Sequence, residues 1–243
     1  MPRLDATAQS LRWAFVPPAV RTTSPRPPTR RGRKAPRATV VLFVRHGTTP
    51  TTGKKLPGRA PGLNLSEKGH AQAAAVAERI AALPKSPSAV YASPLERTRE
   101  TAAPIARALG LRVRTANGLI ELDAGEWTEK PLARLFRDKE WPKVQRWPTG
   151  FRFPGGESFS EMSARAMDAV VDLVAMHPGE TIVAVSHADT IKAVLAAAAG
   201  IPLDLMQRLV VSPCSVSAVL FTGGGPMVLC INNTGALAEL VVS

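Results

Sequence analysis

Three short polar clusters each stand directly behind an apolar run. Arg45-His46-Gly47 follows Thr39-Val40-Val41-Leu42-Phe43-Val44, Ser93-Pro94-Leu95-Glu96-Arg97 follows Ala89-Val90-Tyr91-Ala92, and Ser186-His187-Ala188 follows Thr181-Ile182-Val183-Ala184-Val185. Charged residues placed straight after buried strands do little for packing, so a site is the natural inference. In open parallel sheets, ligands bind just beyond the carboxyl ends of the strands. Two histidines and two arginines are therefore expected along one sheet edge. Paired guanidiniums grip the oxygens of a phosphoryl group with forked hydrogen bonds. Phosphoryl transfer is mostly a matter of positioning and electrostatics.

The elements that must hold these residues are legible in the periodicity. Short apolar runs at 39–44, 89–92 and 181–185 read as strands buried on both faces, and Val113 begins a further short one. Ser66 can cap a helix with Ala73, Val76, Ala77, Ile80 and Leu83 on its apolar face. A second helix carries Leu95, Thr98, Ala102, Ile105 and Leu109 and closes at Gly110. Ser158-x-x-Glu161 is a capping-box pattern opening a long helix, with Phe159, Met162, Ala166, Val170, Leu173 and Val174 inward and Pro178-Gly179 as its stop. A last helix spans about Asp189 to Ala199, and two strands are expected near Val216–Phe221 and Met227–Asn232. Residues 118–127 read as a loop, and 128–156 as a helical insertion or lid. Strands alternating with amphipathic helices predict a three-layer α/β/α sandwich with a mainly parallel sheet.

The chain has 243 residues, 45% of them hydrophobic, enough for one sizeable core at residues 39–243. Its formal charge of +12 is unevenly spread: residues 1–38 contribute +8 and leave +4 for the remainder. That Pro/Arg-rich segment lacks apolar periodicity, and a disordered basic extension is expected. Three readings of it compete: a targeting segment, an arm for nucleic acid or a membrane surface, and an unstructured extension or over-extended gene start. The last is favoured. No apolar run approaches the roughly 18–20 residues that span a bilayer. Cys214 and Cys230 lack zinc-site spacing, and so few cysteines fit a reduced, cytoplasmic protein.

From about residue 40 to 237 the sequence resembles the histidine phosphatase superfamily, in its phosphoglycerate mutase-like branch. The resemblance rests on five ordered motifs: Arg45-His46-Gly47, Ser93-Pro94-Leu95-Glu96-Arg97-Thr98-Arg99-Glu100-Thr101-Ala102, Glu121 within Glu121-Leu122-Asp123-Ala124-Gly125-Glu126-Trp127, Pro154-Gly155-Gly156-Glu157-Ser158, and Val185-Ser186-His187. It implies His46 as nucleophile, Arg45, Arg97 and His187 as phosphate clamp, and Glu121 as proton donor. Asp123 and Glu126 compete in sequence for the proton-donor role. Two nearby cations would keep His46 neutral, as a nucleophile requires. Gly47 would leave the backbone free to approach the ligand. Thr52 stands where relatives often carry Asn, and Arg59 lies in the loop after the nucleophile, where relatives place substrate-facing groups. Both are therefore candidate substrate contacts. Arg99 is expected in a salt bridge from its helix, His70 on the surface, and His177 as a structural helix terminus. Neither a metal nor a cofactor is expected.

The expected activity is metal-independent hydrolysis of a small phosphomonoester through a phosphohistidine intermediate. The segment around Glu121 has the Glu-x-x-x-Gly-x-Trp form of the phosphatases. A phosphomutase is the alternative, kept open by Lys130, Arg134, Arg137, Lys139, Lys143, Arg146 and Arg152 in the insertion. An inactive scaffold, or a nucleic-acid binder working through the basic tail, is the reading from another class. The intact His46, Arg45, Arg97 and His187 oppose it. The sequence is silent on oligomeric state.

Overall fold

The computed structural model describes residues 37–235. The expected basic extension lies outside the described residues except for Arg37 and Ala38, as do residues 236–243. Strands β1 (Thr39–Arg45), β2 (Ala89–Ala92), β3 (Val113–Thr115), β4 (Thr181–Ser186), β5 (Val216–Thr222) and β6 (Gly225–Asn233) form a sheet in the order β3-β2-β4-β1-β5-β6. β1, β2, β3 and β4 run parallel, with Arg45 paired to Ser186 at one end and Val40 to Thr181 at the other. β5 and β6 are antiparallel to their neighbours and close the sheet as a hairpin.

Alternation along the central strands sorts their side chains onto two faces. Leu42 and Val44 pack with Val183, Val185 and residues of α1 (Glu67–Ala81) and α2 (Glu96–Ala108). Val41 and Phe43 pack with Ile182, Ala184 and residues of α5 (Phe159–Met176) and α6 (Ala188–Ala199). Helices thus cover both faces, which explains why these strands are apolar throughout.

The caps form as the sequence requires. Ser66 Oγ accepts from Gly69 N at 3.2 Å, and Ser158 with Glu161 completes a capping box. Gly200 ends α6 in the left-handed region at φ 68°, where a Cβ would be strained.

Residues 128–156 contain the short helices α3 (Leu132–Leu135) and α4 (Trp141–Arg146) and a 3₁₀ turn at Pro148–Gly150. The insertion is built into the core. Trp127 stacks on Trp141 at 6.3 Å and meets Phe151 and Phe153 at 5.3 and 5.5 Å. The same cluster takes in Phe159 and Met162 of α5 and Met206 from a 3₁₀ segment at Leu203–Arg208.

Candidate active site

The register that pairs Arg45 with Ser186 also sets His46 and His187 side by side beyond the strand ends. Their ring centroids are 5.2 Å apart, inclined at 61°. His46 is buried, and its Nδ1 lies 2.7 Å from the carbonyl oxygen of Gly47. A carbonyl only accepts, so the proton resides on Nδ1 and the lone pair is left on Nε2. Burial, then the charges of Arg97 and Arg45, push the His46 pKa down to about 3, against a smaller opposing effect of the Gly47 carbonyl. The ring is therefore neutral over the ordinary pH range, as expected from its two cationic neighbours.

Arg97 occupies the first turn of α2 and is wholly buried. Its Nη2 donates to the Gly58 carbonyl at 2.9 Å, whereas Nε and Nη1 have no hydrogen-bond partner among the described residues. Arg45 donates through Nη1 to Val211 O at 2.7 Å and leaves a buried Nε unpartnered. Buried guanidinium donors are costly to leave unpaired. Here three of them belong to the two arginines whose charges act on the neutral His46.

Two threonines of the second motif tie α2 to the strand ends. Thr98 Oγ1 donates to Ser93 O at 2.9 Å. Thr101 Oγ1 donates to Arg97 O at 2.7 Å and accepts from Gly47 N at 3.0 Å.

His187 is buried with Nε2 2.8 Å from Ser93 Oγ and Nδ1 without a hydrogen-bond partner. Burial and the field of Arg97 hold its pKa well below the ordinary value. Glu121 Oε2 lies 3.8 Å from that Nδ1. With the imidazole neutral this approach is a dipolar contact and not an ion pair. Burial, reinforced by Asp189, raises the Glu121 pKa to about 7, although Arg97, the Leu122 N–H and Arg45 oppose it. Glu121 can hold or release a proton near neutrality. Among the described residues, no cluster of three or more His, Cys, Asp or Glu is placed to hold a metal ion.

The family model for the histidine phosphatase superfamily (branch 1) matches residues 41–234. The chain belongs to this superfamily. The bifunctional protein Rv2228c of Mycobacterium tuberculosis is 35% identical over 240 residues, covering 96% of this chain. The chain spans only 65% of that relative's length. A probable phosphoglycerate mutase GpmB of Cronobacter sakazakii is 34% identical over 182 residues, 74% of this chain and 83% of the relative. Among solved structures, the mycobacterial glucosyl-3-phosphoglycerate phosphatase Rv2419c superposes with a TM-score of 0.73 at 26% identity, covering 82% of this chain and all of that one.

The structure gives several of the sequence-based candidates partners within the protein. The Cβ that Gly47 lacks would meet the backbone of Gly69, 2.6 Å from its carbonyl oxygen. Helix packing demands glycine there, and its N–H is given to Thr101. Thr52 Oγ1 accepts from Thr49 N at 2.8 Å and lies 3.0 Å from Thr49 Oγ1, so it staples its own turn.

Arg59 is engaged within the protein. It donates to Glu121 O at 2.8 Å and pairs with Glu157 at 3.0 Å and Asp123 at 3.4 Å. Arg99 forms no salt bridge among the described residues; only its field reaches Glu96. His70 is exposed, as expected. Reading by motif gave Glu157 and Arg165 no role, although Glu157 lies within a quoted motif.

Proposed function

We propose that this chain is a phosphomonoester hydrolase working through a phosphohistidine on His46. The observation that carries the reading is the set of buried donors unpartnered among the described residues, Arg45 Nε and Arg97 Nε and Nη1, on the two arginines whose charges act on His46, a histidine whose Nδ1 is locked to a carbonyl. A phosphoryl group has the oxygens to satisfy them. Ser93 Oγ lies 3.4 Å from Leu95 N and can accept from it. Its own proton is then free for His187 Nε2, leaving Nδ1–H of His187 as a fourth donor.

His46 Nε2 attacks phosphorus in line, and the P–O bond to the leaving group breaks as the N–P bond forms. The departing oxygen takes the Glu121 proton. Glu121, now ionised, accepts a proton from the water that attacks the phosphohistidine. Inorganic phosphate leaves and His46 is regenerated. The guanidiniums neutralise charge on the transferring oxygens throughout.

The substrate class we assign is a small phosphorylated metabolite, in keeping with the phosphatase and mutase relatives. Both cysteines are free, which fits a reducing compartment, and we place the enzyme in the cytoplasm. Among the described residues no helix is long and apolar enough to cross a membrane.

A second reading, phosphoglycerate mutase chemistry, is favoured by the GpmB relative. One experiment addresses both. Aryl phosphate turnover in EDTA, quenched in alkaline detergent, should trap an acid-labile, alkali-stable phosphoenzyme that His46→Ala does not form. Folded protein that turns over no phosphomonoester, yet interconverts phosphoglycerates with a bisphosphate primer, would replace hydrolysis with the mutase reading.

A further inference from the structure

The Glu121 carboxyl sits on irregular backbone, yet that backbone is held at every step by side chains. The Gly118 carbonyl accepts from Arg165 Nη1 at 2.7 Å and that of Leu119 from Ser186 Oγ at 2.7 Å. The Ile120 carbonyl accepts from Arg165 Nη1 and from Thr190 Oγ1, each at 3.0 Å, and that of Glu121 from Arg59 Nε at 2.8 Å. Four consecutive carbonyls are thus tied down, three of them by two arginines.

One carboxylate gathers both arginines. Glu157 takes Arg165 in a fork, Nε to Oε1 and Nη2 to Oε2, each at 3.0 Å. Its Oε2 also accepts from Arg59 Nη2 at 3.0 Å and from the Asp123 N–H at 3.2 Å. The Glu157 N–H returns to Asp123 O at 3.0 Å. The Glu157 side chain is only 14% exposed. A buried charge satisfied this completely is a rigid joint. It links the end of the insertion, the loop after the nucleophile, and α5 to the segment that carries Glu121.

We infer that Glu157 is a positioning residue for proton transfer: through Arg59 and Arg165 it fixes the Glu121 carboxyl against the leaving-group oxygen. The inference rests on the hydrolytic reading above. Misplacing a reacting group by about 1 Å costs on the order of 10²-fold, so Glu157, which holds the Glu121 segment through these two arginines and through the Asp123 backbone, should control the rate of proton-dependent bond cleavage. A residue that merely supports the fold would affect all substrates alike.

The test compares kcat/KM for an alkyl phosphate, whose leaving group needs a proton, with that for dinitrophenyl phosphate, whose anion leaves without one. This ratio reports steps up to formation of the phosphohistidine, so the later hydrolysis does not enter. Glu157→Gln should lose roughly 10- to 100-fold on the alkyl phosphate and less than about threefold on the aryl one. In a Glu121→Gln background the same substitution should cost almost nothing further on the alkyl phosphate, because coupled residues are not additive. Arg59→Gln, at a partly exposed position, should repeat the pattern and stands in if Glu157→Gln does not fold. Equal losses on both substrates, additive losses in the double variant, or unchanged alkyl phosphate turnover would overturn the proposal. If Glu121→Gln alone lost both substrates equally, the proton-donor reading itself would fall, a result separable from failure of Glu157 alone.

Discussion

The two ends of the central strands each bury histidine, and they treat it in opposite ways. At the amino end, His177 has both ring nitrogens engaged: Nε2 lies 2.9 Å from Tyr91 Oη and Nδ1 2.7 Å from Glu180. Its carbonyl accepts from Thr39 Oγ1 at 2.7 Å. At the carboxyl end, His46 and His187 each have one nitrogen engaged, and the neighbouring arginines keep unpaired donors. A buried polar group with all its bonds made contributes to the fold; one left half-made holds binding capacity in reserve. Concavity alone would mislead here. A cavity of about 260 Å³ lies at the amino end, lined by Val40, Leu83, Lys85, Glu180 and Leu229, and touches none of the site residues.

Substitution of the histidines separates the two ends most sharply. His46→Ala should lower aryl phosphate turnover by on the order of 10⁴-fold or more without lowering the melting temperature. His177→Ala should do the reverse, leaving kcat within about twofold while destabilising by about 1–3 kcal/mol through loss of the Tyr91 and Glu180 hydrogen bonds. Comparable losses of turnover in both variants, measured on protein shown folded by circular dichroism, would erase the distinction. Next in size is Arg97→Ala, with an expected loss of about 10²–10³ in kcat/KM. The substitution should also move the acid limb of the pH profile. Burial and then Arg97 depress the His46 pKa, and His46 attacks only when neutral, so activity is lost as pH falls through that pKa. Removing Arg97 raises it, and the limb should shift toward neutrality; an unmoved limb would remove Arg97 from the field at His46.

What was legible in the sequence follows from how local the cause is. His46, Arg97 and His187 stand next to apolar runs, so their common edge can be read from chain order alone. The caps at Ser66 and Ser158 are equally local. The partners of Gly47, Thr52 and Arg59 were not legible because they are set by folding: the Gly69 backbone, a tight turn at Thr49, and Glu157, nearly a hundred positions along the chain from Arg59. Glu157 was visible as part of a motif, but nothing in Pro154-Gly155-Gly156-Glu157-Ser158 says which charges it will gather. The aromatic packing of the insertion was hidden for the same reason. Its short helices have too few turns to show a period, and Trp127, Phe151 and Phe153 meet only once the chain doubles back.

The smallest effect belongs to Glu121 and gives the comparison a sign. Its folded-state pKa is raised from the ordinary 4.5 to about 7, mainly by burial. Between those values the native protein holds a proton that the unfolded chain releases, so this group costs stability progressively as pH rises through that window. Glu121→Gln is neutral at every pH and should remove the cost. The variant should melt with the wild type below about pH 4.5 and above it at neutral pH. The gap should open progressively as pH rises from about 4.5 to about 7. His177→Gln, at the paired end, should show no such gain at any pH. A Glu121→Gln variant that is less stable at pH 8 than at pH 4, relative to wild type, would mean that Arg45 and Arg97 stabilise the carboxylate more than burial opposes it. Glu121 would then be ionised at rest and would need the incoming phosphate to bring its proton.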